Sequence, residues 1–80
     1  MKAHVYVTLK RTVLDAQGQT VADALRRMKY QGVSDVRQGK YFLLTLEEME
    51  EVAARTEVER IAREVLVNPV IEEYSFRLEA

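Results

Sequence analysis

Turn chemistry is concentrated in three short stretches of this chain: Lys10 to Gly18 (KRTVLDAQG), Gly39-Lys40, and Asn68 to Glu72 (NPVIE). Their residue types belong to turns and element ends rather than to catalysis. In Asp15-Ala16-Gln17-Gly18 the carboxylate can bond backbone two residues on, and glycine accepts conformations closed to other residues, so this segment ends a strand and launches a helix. Gly39 separates two β-rich runs, and Pro69 cannot continue the helix that precedes it. Gly18, Gly39 and Pro69 are therefore expected to be structural turns, with the regular elements lying between them.

Those elements are legible from periodicity. Ala3, Val5, Val7 and Leu9 alternate with His4, Tyr6, Thr8 and Lys10, the pattern of a half-buried strand with the first set facing the core. Beyond the first turn, Thr20 and Asp23 form a weak capping box. Val21, Leu25 and Met28 then recur at helical spacing until Gly32 supplies a stop. Val33 to Arg37 and Tyr41 to Glu47 both read as strands. Gln38-Gly39-Lys40 between them suits a hairpin, with a single strand bent at Gly39 as the competing reading. In Glu48 to Val67, Met49, Val52 and Ala53 share one face, whereas Val58, Ile61, Ala62 and Val65 share a roughly opposite one. The spacing Thr56 to Glu59 then predicts that the main second helix starts at Thr56 after a short lead-in. Val70 to Leu78 closes the chain as a strand with Tyr74, Phe76 and Leu78 on one face.

The resulting fold class is α+β: an antiparallel sheet with two helices on one face, order β-α-β-β-α-β, ferredoxin-like or a close variant. Residues 1–80 make a single domain. A chain this short buries only roughly 60–65% of its unfolded surface, and it has no cysteine for disulfides or thiolate metal sites, so association is the natural support. Two helices cover only one face of such a sheet. The other presents His4, Tyr6 and Thr8 together with either Tyr41, Leu43 and Thr45 or Phe42, Leu44 and Leu46. A face of that character marks an interaction surface, and a homo-oligomer is expected, as a homodimer or a dimer of dimers, with His4, Tyr6, Thr8 and Tyr41 in its interface.

Several functional classes are disfavoured. A net charge of −1 argues against a nucleic-acid partner held by phosphate contacts. No apolar run approaches the ~20 residues of a membrane span and the amino terminus lacks a signal-peptide core, so a soluble, cytoplasmic protein is expected. His4, the sole histidine, has no carboxylate that spacing alone would orient beside it and reads as a surface or interface residue rather than a general base. The glutamates between Glu47 and Glu51 read as a solvated helix start rather than a cation site. No catalytic residue and no metal site is expected.

With Tyr6-Val7-Thr8-Leu9-Lys10 before the first stretch and Glu73-Tyr74 after the last, the collinear set of turns resembles the PurS family, the small subunits of bacterial and archaeal phosphoribosylformylglycinamidine (FGAM) synthase. The resemblance covers essentially the whole chain. The family usually has proline where this chain has Ala16, a change that a turn tolerates. The matching positions are Lys10, Val13, Leu14, Asp15, Gln17, Gly18, Gly39, Lys40 and Asn68 to Glu72. The resemblance implies a noncatalytic assembly subunit in purine biosynthesis. It would bridge a glutaminase subunit that releases ammonia and a large synthetase subunit that uses ATP and Mg²⁺, with no cofactor bound by this chain. Exposed polar groups at the turns, Lys10, Asp15 and Lys40, are the expected partner-binding residues. Two other functions compete. One is an oligomeric regulatory module that binds a small metabolite at subunit interfaces. The other is an RNA-binding domain of the same element order, disfavoured because Leu43 stands where a second stacking aromatic is needed.

Overall fold

A computed structural model describes all residues, 1–80. Strand β1 (Lys2–Leu9) is central, with β2 (Gly39–Thr45) and β3 (Glu72–Glu79) antiparallel on either side, in the order β2-β1-β3. Helix α1 (Ala16–Arg27) joins β1 to β2, and α2 (Glu51–Ile61) runs into a π-helical turn at Ala62–Leu66 before β3. The fold is the expected α+β arrangement of an antiparallel sheet with two helices.

Register explains how the core closes. Ala3 lies opposite Leu44 and Leu78, and Val5 opposite Phe42 and Phe76. Each row thus has a small residue in the middle strand and large ones at the flanks. Helix α2 and the start of the π turn set Ala54, Val58 and Ala62, spaced by four, against that shallow trough, and all three are fully buried together with Ala3, Val5 and Val7. The π turn closes with the Val67 amide donating to the Ala62 carbonyl at 2.9 Å, and it brings both Leu66 and Val67 onto the core. Tyr41, Leu43 and Thr45 fall on the opposite sheet face with His4, Tyr6 and Thr8, which decides between the two pairings open in the sequence.

Several boundaries differ from the sequence reading. Asp15, not Thr20, caps α1, and the Thr20 hydroxyl donates back to the Ala16 carbonyl at 2.9 Å. The helix ends before Gly32. The Lys29 amide donates to the Arg26 carbonyl and the Tyr30 amide to the Leu25 carbonyl, a Schellman closure with Lys29 left-handed at φ 67°. Helix α2 starts at Glu51 rather than Thr56, whose hydroxyl donates to the Val52 carbonyl. The opposed apolar faces disappear because Val52 and Val65 simply point to solvent. Residues 33–38 form no strand, so within one chain there is neither a hairpin nor a bent strand there. Arg37 and Gln38 are instead drawn toward the end of β1, as described below. Finally, the helical share of the core cluster comes from Val58 and Ala62 with Leu66 and Val67, and α1 contributes none of it. Covering of the sheet falls to α2.

The molecule is consequently long, 48 × 27 × 14 Å. Its radius of gyration is 15.9 Å, against about 11.6 Å for a compact domain of this length. Two substitutions test this packing by urea unfolding. Val58→Ala should lose ~2 kcal/mol as a fully buried branched side chain is truncated under the sheet. Lys29→Gly should gain ~0.5–1 kcal/mol by removing a side chain from a left-handed position.

Candidate functional site

β1 leaves the sheet at the end where β2 and β3 enter it, so the three turn stretches meet there. The Lys10 amide donates to the Ile71 carbonyl and its ammonium to the Pro69 carbonyl, both at 2.8 Å, joining the first stretch to the third. The Asp15 carboxylate joins the first to the second. Its Oδ1 accepts from the Gly18 amide at 3.0 Å, capping α1, and its Oδ2 accepts from the Gln38 amide at 2.6 Å. The Gln38 side chain reaches Gln17 at 2.7 Å. One terminal nitrogen of Arg37 donates to the carbonyls of Leu9, Lys10 and Val13 at 3.4, 3.1 and 3.2 Å. The second and third stretches are joined by Lys40 and Glu72, whose ammonium and carboxylate lie 3.1 Å apart. The other Glu72 oxygen accepts from the Asn68 amide at 2.8 Å, and the Asn68 side chain accepts from the Val70 amide.

Close approach explains two glycines. A Cβ on Gly18 would press on the Asp15 carboxylate and lie 2.5 Å from the Val36 carbonyl oxygen. One on Gly39 would collide with the Val7 carbonyl oxygen and sit 2.8 Å from the Thr8 methyl. Neither glycine has positive φ, so what matters at both is the missing side chain rather than left-handed backbone.

The charges here are fixed by these bonds. The amides of Gly18 and then Gln38 hold Asp15 below the ordinary aspartate range. The Asn68 amide, and then Lys40, do the same for Glu72. Asp15 is only 5% exposed with both oxygens occupied, which corrects its expected role: it positions the turns and does not offer a carboxylate to a partner. Lys40 remains about half exposed beyond its ion pair, and Lys10 lies on the rim. Between the turns is a cleft of about 210 Å³, lined among others by Asp15, Gln38, Lys40 and Glu72. That is smaller than the ~300–1,000 Å³ typical of small-molecule pockets. Nothing pairs a nucleophile with a base here. The arrangement is suited to holding a shape.

Of the four residues assigned to an oligomer interface, His4, Tyr6 and Tyr41 lie further along the open sheet face, whereas Thr8 stands beside Gly39 at this end. His4 Nδ1 pairs with the Tyr41 hydroxyl at 2.5 Å, and Nε2 with Glu79 at 2.8 Å. An ionised carboxylate only accepts, so Nε2 carries the proton and, in the neutral ring, Nδ1 accepts from Tyr41. This bond to His4 is the main cause that lowers the Glu79 carboxyl. Tyr41 stacks between His4 and Tyr6, and the Arg77 Nε donates to the Tyr6 hydroxyl at 3.3 Å, which raises the Arg77 guanidinium further. Arg37 and Gln38 escaped the sequence reading. Gln38 acts through a backbone amide, which no residue type announces, and Arg37 sits in a run that alternates like a strand.

Comparison with known proteins points one way. The family profile described as PurS, phosphoribosylformylglycinamidine (FGAM) synthase, matches residues 2–80. The phosphoribosylformylglycinamidine synthase subunit PurS of Bacillus subtilis is 44% identical over 98% of this chain and 92% of its own. Among solved structures, PurS of Methanocaldococcus jannaschii, a subunit of formylglycinamide ribonucleotide amidotransferase, superposes with a TM-score of 0.86 at 35% identity, covering 98% of this chain and 94% of its own. A chain in the structure of PurLQS from Thermotoga maritima gives a TM-score of 0.86 at 36% identity, with 95% and 93% covered.

Acid should weaken the bonds that hold this end. Asp15 and Glu72 titrate lower in the folded chain than in the unfolded one, so on acidification the unfolded chain takes up protons first. Their stabilisation is intact above the ordinary values of 3.8 and 4.5 and is lost as pH falls through those values toward the depressed ones. Urea midpoints taken from pH 7 to pH 2.5 should show this decline, and Asp15→Asn should flatten it while lowering stability at pH 7. Gly18→Ala should destabilise even at neutral pH.

Proposed function

Because this chain belongs to the PurS family of FGAM synthase subunits, we propose that it is the noncatalytic assembly subunit of that enzyme in purine biosynthesis. It bridges the glutaminase and the ATP-dependent synthetase so that ammonia passes between them. ATP and Mg²⁺ are used by the synthetase rather than by this chain, and the complex works in the cytoplasm. The observation that carries this reading is the near full-length likeness to a chain of the Thermotoga maritima PurLQS structure. The sheet end agrees with it in character, since its carboxylates are committed to holding three turns in fixed relation and its cleft is small. Ammonia released into water is diluted and protonated, so a rigid spacer between two active sites answers a physical need. Lys10 and Lys40 are the residues of this end whose ammonium groups lie where a partner can meet them.

The same subunit associates with copies of itself through the open sheet face that carries His4, Tyr6, Thr8 and Tyr41. Surface area supports this. The isolated chain exposes 6112 Å², about 1,100 Å² more than a compact monomer of its mass. That excess is comparable to the ~800 Å² that each partner contributes to a standard interface. No helix of the chain is long and apolar enough to cross a membrane.

The test is glutamine-dependent formation of FGAM by purified synthetase and glutaminase subunits, with and without this chain. Activity that appears only on its addition is expected, and equal activity without it overturns the proposal. Lys10→Ala with Lys40→Ala should leave the chain folded, since exposed bonds of this kind contribute about 0–1 kcal/mol, yet raise the concentration needed for half-maximal activity about tenfold, equivalent to about 1.4 kcal/mol. An unchanged concentration removes these two residues from the contact.

A further inference from the structure

On the open sheet face His4 alone among the titratable side chains is buried, and both of its ring nitrogens are in use. The charged and titratable groups that face it come from all three strands: Lys2 and Tyr6 from β1, Tyr41 from β2, and Arg77 and Glu79 from β3. Leu43, directly opposite on β2, is apolar, and Arg77 is directly opposite on β3. Glu79 accepts from His4 at 2.8 Å and lies 3.9 Å from the Arg77 guanidinium through the same oxygen. The terminal amine of Met1 is spent on the Leu46 carbonyl at 3.5 Å, and α2 packs on the other face of the sheet. Tyr41 is held in place by stacking on both sides, with ring centroids 5.8 Å from His4 and 5.5 Å from Tyr6.

We propose that the proton on His4 sets the hydrogen-bonding sense of Tyr41 and so makes self-association depend on pH: the neutral ring permits it and the protonated ring opposes it. The inference rests on the self-association proposed above and adds its regulation. With the ring neutral, the Tyr41 hydroxyl donates to Nδ1 and its oxygen offers lone pairs outward. A second ring proton occupies Nδ1, which then donates to that same oxygen, so the hydroxyl hydrogen has to turn away. Stacking keeps the phenol ring where it is, and the reversal falls on the O–H bond alone. The outward group changes from acceptor to donor. On the free chain water accepts the turned-out hydrogen. Beneath a second copy water is excluded, and a surface matched to the acceptor leaves the new donor unsatisfied. Glu79 does not decide between the states, because it accepts from Nε2 in both. Charge acts in the same direction as the hydroxyl. With Lys2 and Arg77 beside it, a protonated His4 makes three cations around one carboxylate, and covering the face takes that excess charge out of water.

The chain has one histidine and no cysteine, so between pH 7 and pH 5.5 no other side chain ordinarily changes charge, and a terminal amine ordinarily titrates above that window, near about pH 8. Sedimentation equilibrium of the unmodified chain at the two pH values, with circular dichroism confirming the fold at both, gives the dissociation constant of its oligomer. The expected result is association weaker by about tenfold or more at pH 5.5, since each chain that must shed a proton to associate contributes up to about tenfold per pH unit. Tyr41→Phe, which keeps the stacked ring and loses the hydroxyl, should associate at pH 7 and lose most of the pH response. His4→Gln should lose the response altogether. An oligomer equally tight at both pH values, or tighter at pH 5.5, overturns the switch and leaves the self-association reading standing. A full response in Tyr41→Phe overturns the role given to the hydroxyl even if His4→Gln does not fold. A chain that sediments as a monomer at micromolar concentration at both pH values removes the self-association reading, and the switch with it.

Discussion

One carboxylate ties the irregular half of this molecule together. Asp15 accepts one amide from the first turn of α1 and another from Gln38, the residue before β2 begins. It therefore fixes where the helix starts, where the connection from that helix returns, and where the second strand enters the sheet. Gly18 has no side chain because the same carboxylate occupies that space, and Gly39 has none because β2 must start against the backbone of Val7. Arg37, bonded to three carbonyls just past β1, holds the returning segment from its other side. With residues 37 and 38 anchored in this way, the run before them does not fold back along β2, although its residues favour a strand.

The regular half follows a simpler rule. Small residues along the central strand and large ones at its flanks make a trough that a single helix fills with two alanines and a valine. The economy is considerable, since ten residues of the chain are buried. The consequence is a sheet with one open face and a helix with no sheet to rest on. Such a chain leaves apolar side chains of the helix and of the sheet face exposed, which suits a subunit that works within a complex.

Much of this was legible in the residues. β1 announced itself through strict alternation, and α1 through the spacing of Val21, Leu25 and Met28. The three turns were visible as positions, and their meeting follows once the strands are antiparallel. Asp15 was read correctly as the point where a helix is launched but wrongly as a group free for a partner. Its second bond goes to an amide 23 residues away, and local sequence carries no mark of it. Thr20, Gly32 and Thr56 each had the chemistry of an end without being one. The helices end where backbone closure allows, and at Lys29 the Schellman bonds outweigh the cost of a left-handed lysine. The conflict of phase in the second helix dissolved because Val52 and Val65 are left in water, a choice that periodicity alone cannot make.

The account rests on the claim that this protein joins two others. The most direct measurement is the mass of species formed on mixing it with the synthetase and glutaminase subunits, in pairs and all together, by light scattering after gel filtration. Synthetase and glutaminase should run as separate species when alone with each other and as one larger species once this chain is present. If they associate equally well without it, or if it elutes apart from both, the central claim is contradicted.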